Sequence, residues 1–337
     1  MHYNQRMQIQ KLKTWFCLLL ITALSATAGT SVLAQSVKPH ERTSSDLRVL
    51  SWNLGEDAFA DKPAEFQSLI QHIKPDILLL DEVKPIYDER LLRNVLDNPE
   101  SQPGHGWFID FGTSGGRQVG VIASRYPLEK VPEFSGKLDY AQQDYDYIVE
   151  HMSEREKTYQ NWTINDGIAA NAAIILIEDK RLLAVTFDMQ CCGGDPASWQ
   201  EYRRRAEARS IRQLILKVLQ RTHVDGMIVA GDLNIISTPM PLVILSNLSQ
   251  QGRSNLSIAE VYQRDGGSWT WDGRGTKYPS RVMDFQLYSP QSIQIKSGFI
   301  FNSELLVESE LEQLGFETNS SKLLSDHLPI IIDYQLD

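Results

Sequence analysis

The sequence has few cysteines, no excess of basic residues and no long apolar run beyond its N-terminal part. Three cysteines occur in 337 residues, and none stands in the Cys-x-x-Cys or Cys/His spacing of a zinc site. Lys and Arg total 33 against 43 Asp and Glu, a formal net charge of −10. This acidic balance disfavours nucleic-acid binding through a broad basic face, although a bound metal ion can reverse the sign locally. Since no internal repeat or long linker occurs, we expect one domain over residues 47–337.

The first 34 residues have the composition of a secretory signal peptide. Basic residues precede a short apolar core at residues 15–24, and small residues follow up to Ala34. The alternative, an uncleaved anchor helix, is disfavoured because the apolar run is short and diluted by Ser and Thr. We therefore expect cleavage after Ala34, a flexible lead-in over residues 35–46, and a secreted or periplasmic protein without a transmembrane segment.

Beyond this leader the only cysteines are the neighbours Cys191 and Cys192. Adjacent Cα atoms lie about 3.8 Å apart across a trans peptide, below the usual disulfide range. A disulfide between them would form only with strain, and two free thiols are the alternative. A pair that acts in redox catalysis receives little support from the sequence.

The succession of apolar and amphipathic segments predicts an α/β fold, because strands and helices alternate with short links. The predicted strands cover residues 47–54, 76–83, 107–111, 115–127, 170–177, 181–189, 227–231, 281–288, 293–301 and 330–334. The predicted helices cover residues 63–73, 91–96, 197–220, 241–248 and 304–314. Polar residues 135–166 are interpreted as an insertion over one face, within which no helix or strand is assigned. Residues 269–275 are interpreted as a loop rich in aromatic and glycine residues. The arginines of the longest helix, Arg203 to Arg205 and Arg209, are predicted to form a solvated face.

Polar side chains recur where the predicted apolar strands end. They are Asn53, Glu82, Asp232, Asn234, Asp284, Asp326 and His327. Taken singly, each is explained as a turn closer, a cap or a solvated strand end. In sheets covered by helices, however, strand ends converge on a crevice. Together these oxygen and imidazole groups predict a site for a hard cation that acts on phosphate.

Asp232 and Asn234 stand two positions apart after a buried strand. In an extended segment, this spacing directs both side chains to the same side. A carboxylate acceptor beside an amide donor can orient a water molecule and hold a phosphate oxygen.

These motifs, in this order, resemble the endonuclease/exonuclease/phosphatase superfamily, which includes deoxyribonuclease I. The matching stretches are residues 51–53, 81–83, 121–127, 231–234, 281–285 and 325–329. The resemblance extends over residues 47–335, most of the chain. It implies a four-layer α/β sandwich in which two facing mixed β-sheets are flanked by helices, with the site at one end.

The resemblance also implies a metal site. Glu82 is the implied principal ligand of Mg²⁺, with Mn²⁺ or Ca²⁺ as alternatives. Asn53 lies beside the metal and also contacts the substrate, and Asp326 belongs to the same network of metal and water.

For the reaction itself, the resemblance implies in-line attack of water on phosphorus. Asp232 positions or deprotonates this water, and Asn234 holds the scissile phosphate. His327 contacts or protonates a phosphate oxygen, and Asp284 orients the imidazole ring, as carboxylate partners of histidine do.

The sequence departs from the family pattern at one position. Many members place a His at the end of the strand that here reaches Asp188. A carboxylate cannot donate a proton unless its pKa is raised. Asp188 would instead repel the phosphate, bind a second cation or pair with an arginine. Arg117, Arg203 and Lys277 are candidates for the missing positive charge, and Arg117 is the predicted substrate-binding arginine.

We therefore predict a secreted, Mg²⁺-dependent phosphoesterase that hydrolyses a phosphodiester or phosphomonoester and acts as a monomer. The acidic charge favours a small-molecule or lipid-linked substrate over a nucleic acid. A nuclease acting on DNA is one alternative. A binding module that has kept the fold and lost the reaction is another, favoured only by Asp188.

Overall fold

The apolar runs of the sequence form β-strands. The structure, a computed structural model, describes residues 47–97, 106–158, 164–249 and 254–337. Its strands are β1 (Leu47–Glu56), β2 (Ile77–Val83), β3 (Phe108–Phe111), β4 (Val119–Ser124), β5 (Leu128–Lys130), β6 (Ala169–Ile177), β7 (Lys180–Asp188), β8 (Gly226–Asp232), β9 (Ser257–Ile258), β10 (Asp284–Tyr288), β11 (Ile293–Ile300) and β12 (Ile330–Leu336). The predicted leader (1–34) and lead-in (35–46) lie outside the described residues, so they stay predictions.

The strands pair into two six-stranded sheets. The first has the order β11-β12-β1-β2-β4-β3, and the second has the order β5-β6-β7-β8-β10-β9. β1 and β2 run parallel, as do β7 and β8, whereas the remaining neighbours are antiparallel. Both sheets are therefore mixed, as predicted.

Helices cover the outer face of each sheet. They are α1 (Ala58–Asp61), α2 (Pro63–Ile73), α3 (Glu89–Leu96), α4 (Gln142–His151), α5 (Glu154–Lys157), α6 (Trp199–Arg221), α7 (Met240–Ser246), α8 (Glu308–Leu314) and α9 (Ser320–Leu324). Short 3₁₀ turns lie at Pro132–Phe134 and Ser303–Leu305. The described helices are either too short or too polar to span a lipid bilayer.

The period-two alternation of the strands divides the apolar side chains among three cores. On β1, Val49 packs between the two sheets, whereas its neighbour Leu50 packs outward against helices. The outer core of the first sheet includes residues of α1, α2, α3, α8 and α9. The outer core of the second sheet includes residues of α4, α6 and α7. The result is helix, sheet, sheet and helix, which confirms the predicted four-layer sandwich.

Residues 135–166, to which the sequence assigned no helix or strand, are partly helical. This segment contains α4 and α5, and Ile148 of α4 is fully buried against the second sheet's core. Buried Asp144 accepts hydrogen bonds from the Tyr202 hydroxyl (2.8 Å) and from Arg209 (2.7 Å) of α6. The polar composition concealed this helix pair, although one of its charges, Asp144, is buried and satisfied by α6 rather than by water.

The predicted solvated arginine face of α6 was wrong in part. Arg203 and Arg204 are buried, and each pairs with a glutamate of the same helix, Glu207 at 2.8 Å and Glu201 at 2.9 Å. These i,i+4 and i,i+3 spacings satisfy the guanidinium charges inside the protein.

Candidate active site

Five strands each carry a polar residue at one end of the sandwich, where the row of side chains that faces the other sheet stops. These residues are Asn53 on β1, Asp81 on β2, Asp188 on β7, Asp232 on β8 and Asp284 on β10. Residues of the same parity on these strands, such as Val49 and Ala230, form the core between the sheets. Register sets Asn53 beside Asp81, and Asp232 beside both Asp188 and Asp284. Strand periodicity thus directs these side chains into one crevice.

A tight turn joins Asp232 to Asn234. β8 ends at Asp232, and Asn234 has a left-handed φ of 49°. The Asn234 backbone N–H donates to Asp232 Oδ1 (2.7 Å), and its side-chain amide donates to Asp232 Oδ2 (3.0 Å). The predicted convergence is present, but a turn in which the carboxylate accepts from the backbone produces it, rather than an extended segment.

The backbone before this turn requires glycine. Gly231 has a φ of 148°, and a Cβ at this position would lie 1.9 Å from the carbonyl oxygen of Phe187 on β7. Only glycine avoids this overlap, so it allows Asp188 and Asp232 to stand side by side at the strand ends.

His327 and Asp284 form a buried pair. Their closest atoms, His327 Nδ1 and Asp284 Oδ2, are 2.8 Å apart, so Nδ1–H donates to the carboxylate. The other ring nitrogen, Nε2, lies on the side of Asp232, 3.8 Å from its Oδ2. Burial alone would lower the pKa of His327, but the charge of Asp284 and this hydrogen bond raise it well above its ordinary value.

This pair is positioned by residues outside the predicted site set. The Trp52 indole N–H donates to the His327 carbonyl (2.9 Å), and Ser325 Oγ accepts from the His327 backbone N–H (3.0 Å). Thr270 Oγ1 accepts from the backbone N–H of Asp284 (3.0 Å). Trp52 and Ser325 stood within the recognised motifs, so their proximity to Asn53 and His327 was the available signal. Thr270 lay in a loop with no such signal.

Glu82 reaches the same crevice through an unusual backbone conformation. Its φ is +50°, which breaks the alternation of β2. As a result Glu82 lines the cavity although its neighbour Asp81 already faces inward. Left-handed non-glycine residues of this kind concentrate at functional sites.

Among the described residues, two overlapping groups of side chains could hold a metal ion, with ligand atoms that lie within 4.8 Å of one another in each group. One group is Glu82, Asp188 and Asp232, and the other is Asp232, Asp284 and His327. Asp188, where the family pattern breaks, therefore stands among the acidic groups at the centre of the site.

Burial, together with repulsion between their negative charges, raises the pKa values of these acids. Burial, followed by the charge of Asp284, raises the pKa of Asp232 to about 8. Burial and the charges of Glu82 and Asp232 raise the pKa of Asp188 well above its usual range. Burial also raises the pKa of Glu82, although a hydrogen bond from Asn53 opposes the rise. A divalent cation would compensate for this charge.

Three further acceptor oxygens strengthen this fit. Both carboxyl oxygens of Asp81 and Oδ1 of Asp284 are buried and have no hydrogen-bond partner. Burial and the charges of Asp284 and Asp232 raise the pKa of Asp81 well above its usual range. Since oxygen-rich donor sets suit Mg²⁺, the residues fit a hard cation. Asp81 was not among the predicted site residues, although it immediately precedes Glu82.

The remaining predicted ligands lie close by. Asn53 Nδ2 is 3.4 Å from Asp232 Oδ2, and its Oδ1 accepts from the Gly55 backbone N–H (3.0 Å). Asp326 is exposed in the cavity wall, where its Oδ2 accepts from the Trp271 indole N–H (2.9 Å). Both are placed to contact an ion or a substrate at the acidic cluster.

The acidic groups open into a cavity of about 360 Å³. It is lined by the polar residues Glu82, Asp232, Asn234, Asp326 and His327, and by Ile236, Trp271, Tyr278, Arg281, Met283 and residues 191–194. The cavity therefore combines acidic, amide and imidazole groups with aromatic and apolar side chains.

The three cations proposed from the sequence do not line this cavity. Arg117 is exposed in the turn before β4, Lys277 lies over the Tyr278 ring, and Arg203 donates to Tyr140 and Glu207. The arginine in the cavity wall is Arg281, whose Nη1 donates to the Ile236 carbonyl (2.8 Å). Its place at the start of the recognised stretch 281–285 was the signal that could have identified it.

Comparison with known proteins agrees with this geometry. A model of the endonuclease/exonuclease/phosphatase family matches residues 50–327. The chain belongs to this family. Its members are hydrolases that act on phosphoester bonds, so the predicted resemblance is confirmed. No curated protein matches the sequence.

Solved structures share the fold at low sequence identity. The human Nocturnin catalytic domain with bound sulfate is 18% identical, with a TM-score of 0.53, and the match covers 86% of this chain and 93% of that one. An endonuclease/exonuclease/phosphatase from Bacteroides vulgatus is 17% identical, with a TM-score of 0.53 and coverage of 86% and 99%. TDP2 from C. elegans is 15% identical, with a TM-score of 0.52 and coverage of 86% and 75%. At these identities the comparisons support the fold alone.

Proposed function

We propose that this protein is a Mg²⁺-dependent phosphoesterase that hydrolyses its substrate by in-line attack of water. The observation that carries the proposal is the convergence of Glu82, Asp188 and Asp232 beside the His327–Asp284 pair. Carboxylates that share one crevice, together with an imidazole held by a carboxylate, supply the groups that phosphoryl transfer to water requires.

Glu82, Asp188 and Asp326, with Asn53 beside them, would hold the cation, with Mn²⁺ or Ca²⁺ as alternatives to Mg²⁺. When bound, the cation would offset negative charge on the phosphoryl oxygens. The contribution of Asp188 is a carboxylate where many family members carry histidine. It replaces a donor to phosphate with a further ligand for positive charge.

Asp232 is the proposed acceptor of the proton from the attacking water. The water oxygen forms the new bond to phosphorus while the bond to the leaving oxygen breaks, and the water proton moves to Asp232. The leaving oxygen departs with the bonding electron pair and takes a proton from solvent to become the alcohol. His327, kept protonated by Asp284, donates from Nε2 to a phosphate oxygen. This division of roles follows the orientation of the ring, in which Nδ1 is committed to Asp284.

Asn234 is proposed mainly as the residue that positions Asp232. Its side-chain amide donates to the Met189 carbonyl (2.9 Å) and to Asp232 Oδ2 (3.0 Å), which occupies both amide hydrogens. The predicted contact between Asn234 and the phosphate would need one of these bonds to open. It stays a prediction.

A small-molecule or lipid-linked phosphoester is the preferred substrate class. The support comes from the cavity, which is lined by Trp271, Tyr278 and Met283 together with the acidic groups. The net charge of −10 adds to this preference, because it disfavours a polyanion. We also propose a secreted or periplasmic location, which rests on the composition of residues 1–34 and is tested by cell fractionation.

The test is hydrolysis of p-nitrophenyl phosphate and bis-p-nitrophenyl phosphate with Mg²⁺, Mn²⁺, Ca²⁺ or EDTA. We expect release of p-nitrophenol that depends on a divalent ion and stops with EDTA. Supercoiled plasmid in the same assay separates a nuclease, which would nick it, from the preferred class. Folded protein that releases no product with any ion would contradict the proposal and favour a binding module.

A further inference from the structure

Two adjacent thiols line the active-site cavity. Cys191 and Cys192 are both exposed and both free, and their Sγ atoms lie 3.0 Å apart. They follow the end of β7 by three and four residues, and Asp188 ends that strand. The side chains of chain neighbours usually point apart, so this proximity requires a special backbone conformation.

The backbone around the pair supplies this conformation. Cys192 and Gly193 have consecutive left-handed φ values of 67° and 71°. A Cβ on Gly193 would lie 2.6 Å from the Gln200 Cβ, so glycine is required there. This turn, rather than a bond between the sulfurs, brings the two thiols together.

A buried arginine holds the backbone of this turn in place. Arg204 is fully buried, and its guanidinium donates to the carbonyls of Gln190 (2.9 Å), Cys192 and Gly193 (3.0 Å). Its charge is balanced by Glu201 at 2.9 Å. The carbonyl groups of the loop are therefore held from inside the protein, while the sulfurs remain on the open side.

We propose that Cys191 and Cys192 form a reversible dithiol–disulfide pair in the wall of the active-site cavity. A ring closed between adjacent residues is constrained, because their Cα atoms lie closer than an ordinary disulfide allows. Constrained and exposed disulfides are the easily reduced ones, which are used for regulation or exchange. The pair is thus suited to cycling rather than to stabilising the fold.

The oxidant is a small-molecule disulfide such as oxidised glutathione. The Cys192 thiolate attacks one of its sulfurs, which forms a mixed disulfide and releases one thiol. Cys191 Sγ then attacks Cys192 Sγ, which closes the vicinal bond and releases the second thiol. In total, two S–H bonds are lost and the oxidant is reduced to two thiols. This order of attack agrees with the pKa of the Cys192 thiol. The hydrogen bond from Cys191 lowers that pKa to about 6, and the charge of Arg204 contributes, although burial opposes the shift.

The test uses the full chain with Cys17→Ser, so that only these two thiols are counted. We expect two titratable thiols after reduction. After excess oxidised glutathione we expect no thiols, a mass lower by two hydrogen atoms, no glutathione adduct and an unchanged oligomeric state. Dithiothreitol should restore both thiols. In the matched single variants, Cys191→Ser and Cys192→Ser, the remaining thiol should instead keep a glutathione adduct.

Three outcomes would overturn the proposed pair: two stable glutathione adducts, two thiols that remain free in the folded protein, or a disulfide between two chains.

A second readout rests on the proposed function. Oxidation ties two sulfurs of the cavity wall together, so KM should change more than kcat, and the Cys191→Ser/Cys192→Ser variant should not respond to oxidant. An unchanged KM in protein shown by mass to be oxidised would contradict an effect on the site. Because the mass readout needs no hydrolysis, failure of the proposed function would not be mistaken for failure of the pair.

Discussion

At the scale of the residue, Asp232 is the central hydrogen-bond acceptor of the site. It accepts hydrogen bonds from the Asn234 backbone (2.7 Å), the Asn234 amide (3.0 Å) and Asn53 (3.4 Å). Asp232→Asn keeps the shape but removes the proton acceptor, so turnover should fall about 10²- to 10⁴-fold. The measurement is kcat/KM for bis-p-nitrophenyl phosphate, with a thermal unfolding curve to show that the variant is folded. Asp179→Asn, which removes an equal charge from an exposed hairpin turn, is the matched control. Full activity in Asp232→Asn would remove Asp232 from the chemistry.

The ionisation of His327 depends on Asp284. Burial favours the neutral imidazole, and the carboxylate at 2.8 Å reverses that preference. In Asp284→Asn the effect of burial should prevail, so the pKa of His327 should fall, and the alkaline limb of the pH–rate profile should move to lower pH. Titration of the ring by NMR measures the pKa directly. An unchanged pKa would show that the pair does not set the charge of the imidazole.

The residues of the site differ in how far they could be predicted. Asp232, Asp284 and His327 were identified because each ends or borders an apolar run, and a strand end is visible in the sequence. Asp81 was missed because alternation allows only one of two neighbours to face a site. The left-handed φ of Glu82, which brings both there, has no sequence signature outside glycine.

At the scale of the element, continuous apolar runs predicted most of the strands, because a strand that is buried on both faces is apolar throughout. The bounds of α2, Pro63–Ile73, were predicted in full because proline begins this helix and Pro75 follows it. The helices of residues 135–166 were not predicted. Asp144 of α4 is buried and paired with Tyr202 and Arg209 of α6, and no single-sequence pattern distinguishes such a paired charge from the solvated charges around it.

The junction of β7 and β8 gives a prediction at this scale. Gly231→Ala places a Cβ against the Phe187 carbonyl in a strained conformation, and should destabilise the protein by about 3 kcal/mol. Gly266→Ala is the matched control, since its φ is also positive (88°) but nothing lies within 4 Å of the added carbon. It should cost about 1 kcal/mol. Urea unfolding measures both, and equal losses would show that the contact with β7 contributes nothing.

At the scale of the whole molecule, the crowded acids link stability to pH. A carboxyl whose pKa is raised by folding binds more protons in the native state than in the unfolded chain. Its contribution to stability is therefore present below the unfolded pKa and is lost as pH rises through the folded pKa. For Asp232 this window runs from about pH 4 to about pH 8. The raised pKa values of Asp188 and His327 act in the same direction. His72, whose pKa is lowered mainly by burial, opposes them below its ordinary value of 6.5.

The metal-free protein should accordingly lose stability between about pH 5 and about pH 8, and a divalent ion should restore it. Cations and protons compete for the same oxygens, so the rise in Tm caused by Mg²⁺ should grow as pH increases. Thermal unfolding in EDTA and in Mg²⁺ across this range measures both effects. Asp232→Asn should flatten the slope in EDTA, whereas Asp179→Asn should leave it unchanged. A metal-free Tm that is constant or rises over the same range would mean that folding does not bring the acids together against their mutual repulsion. The cation site inferred from them would then lose its electrostatic basis.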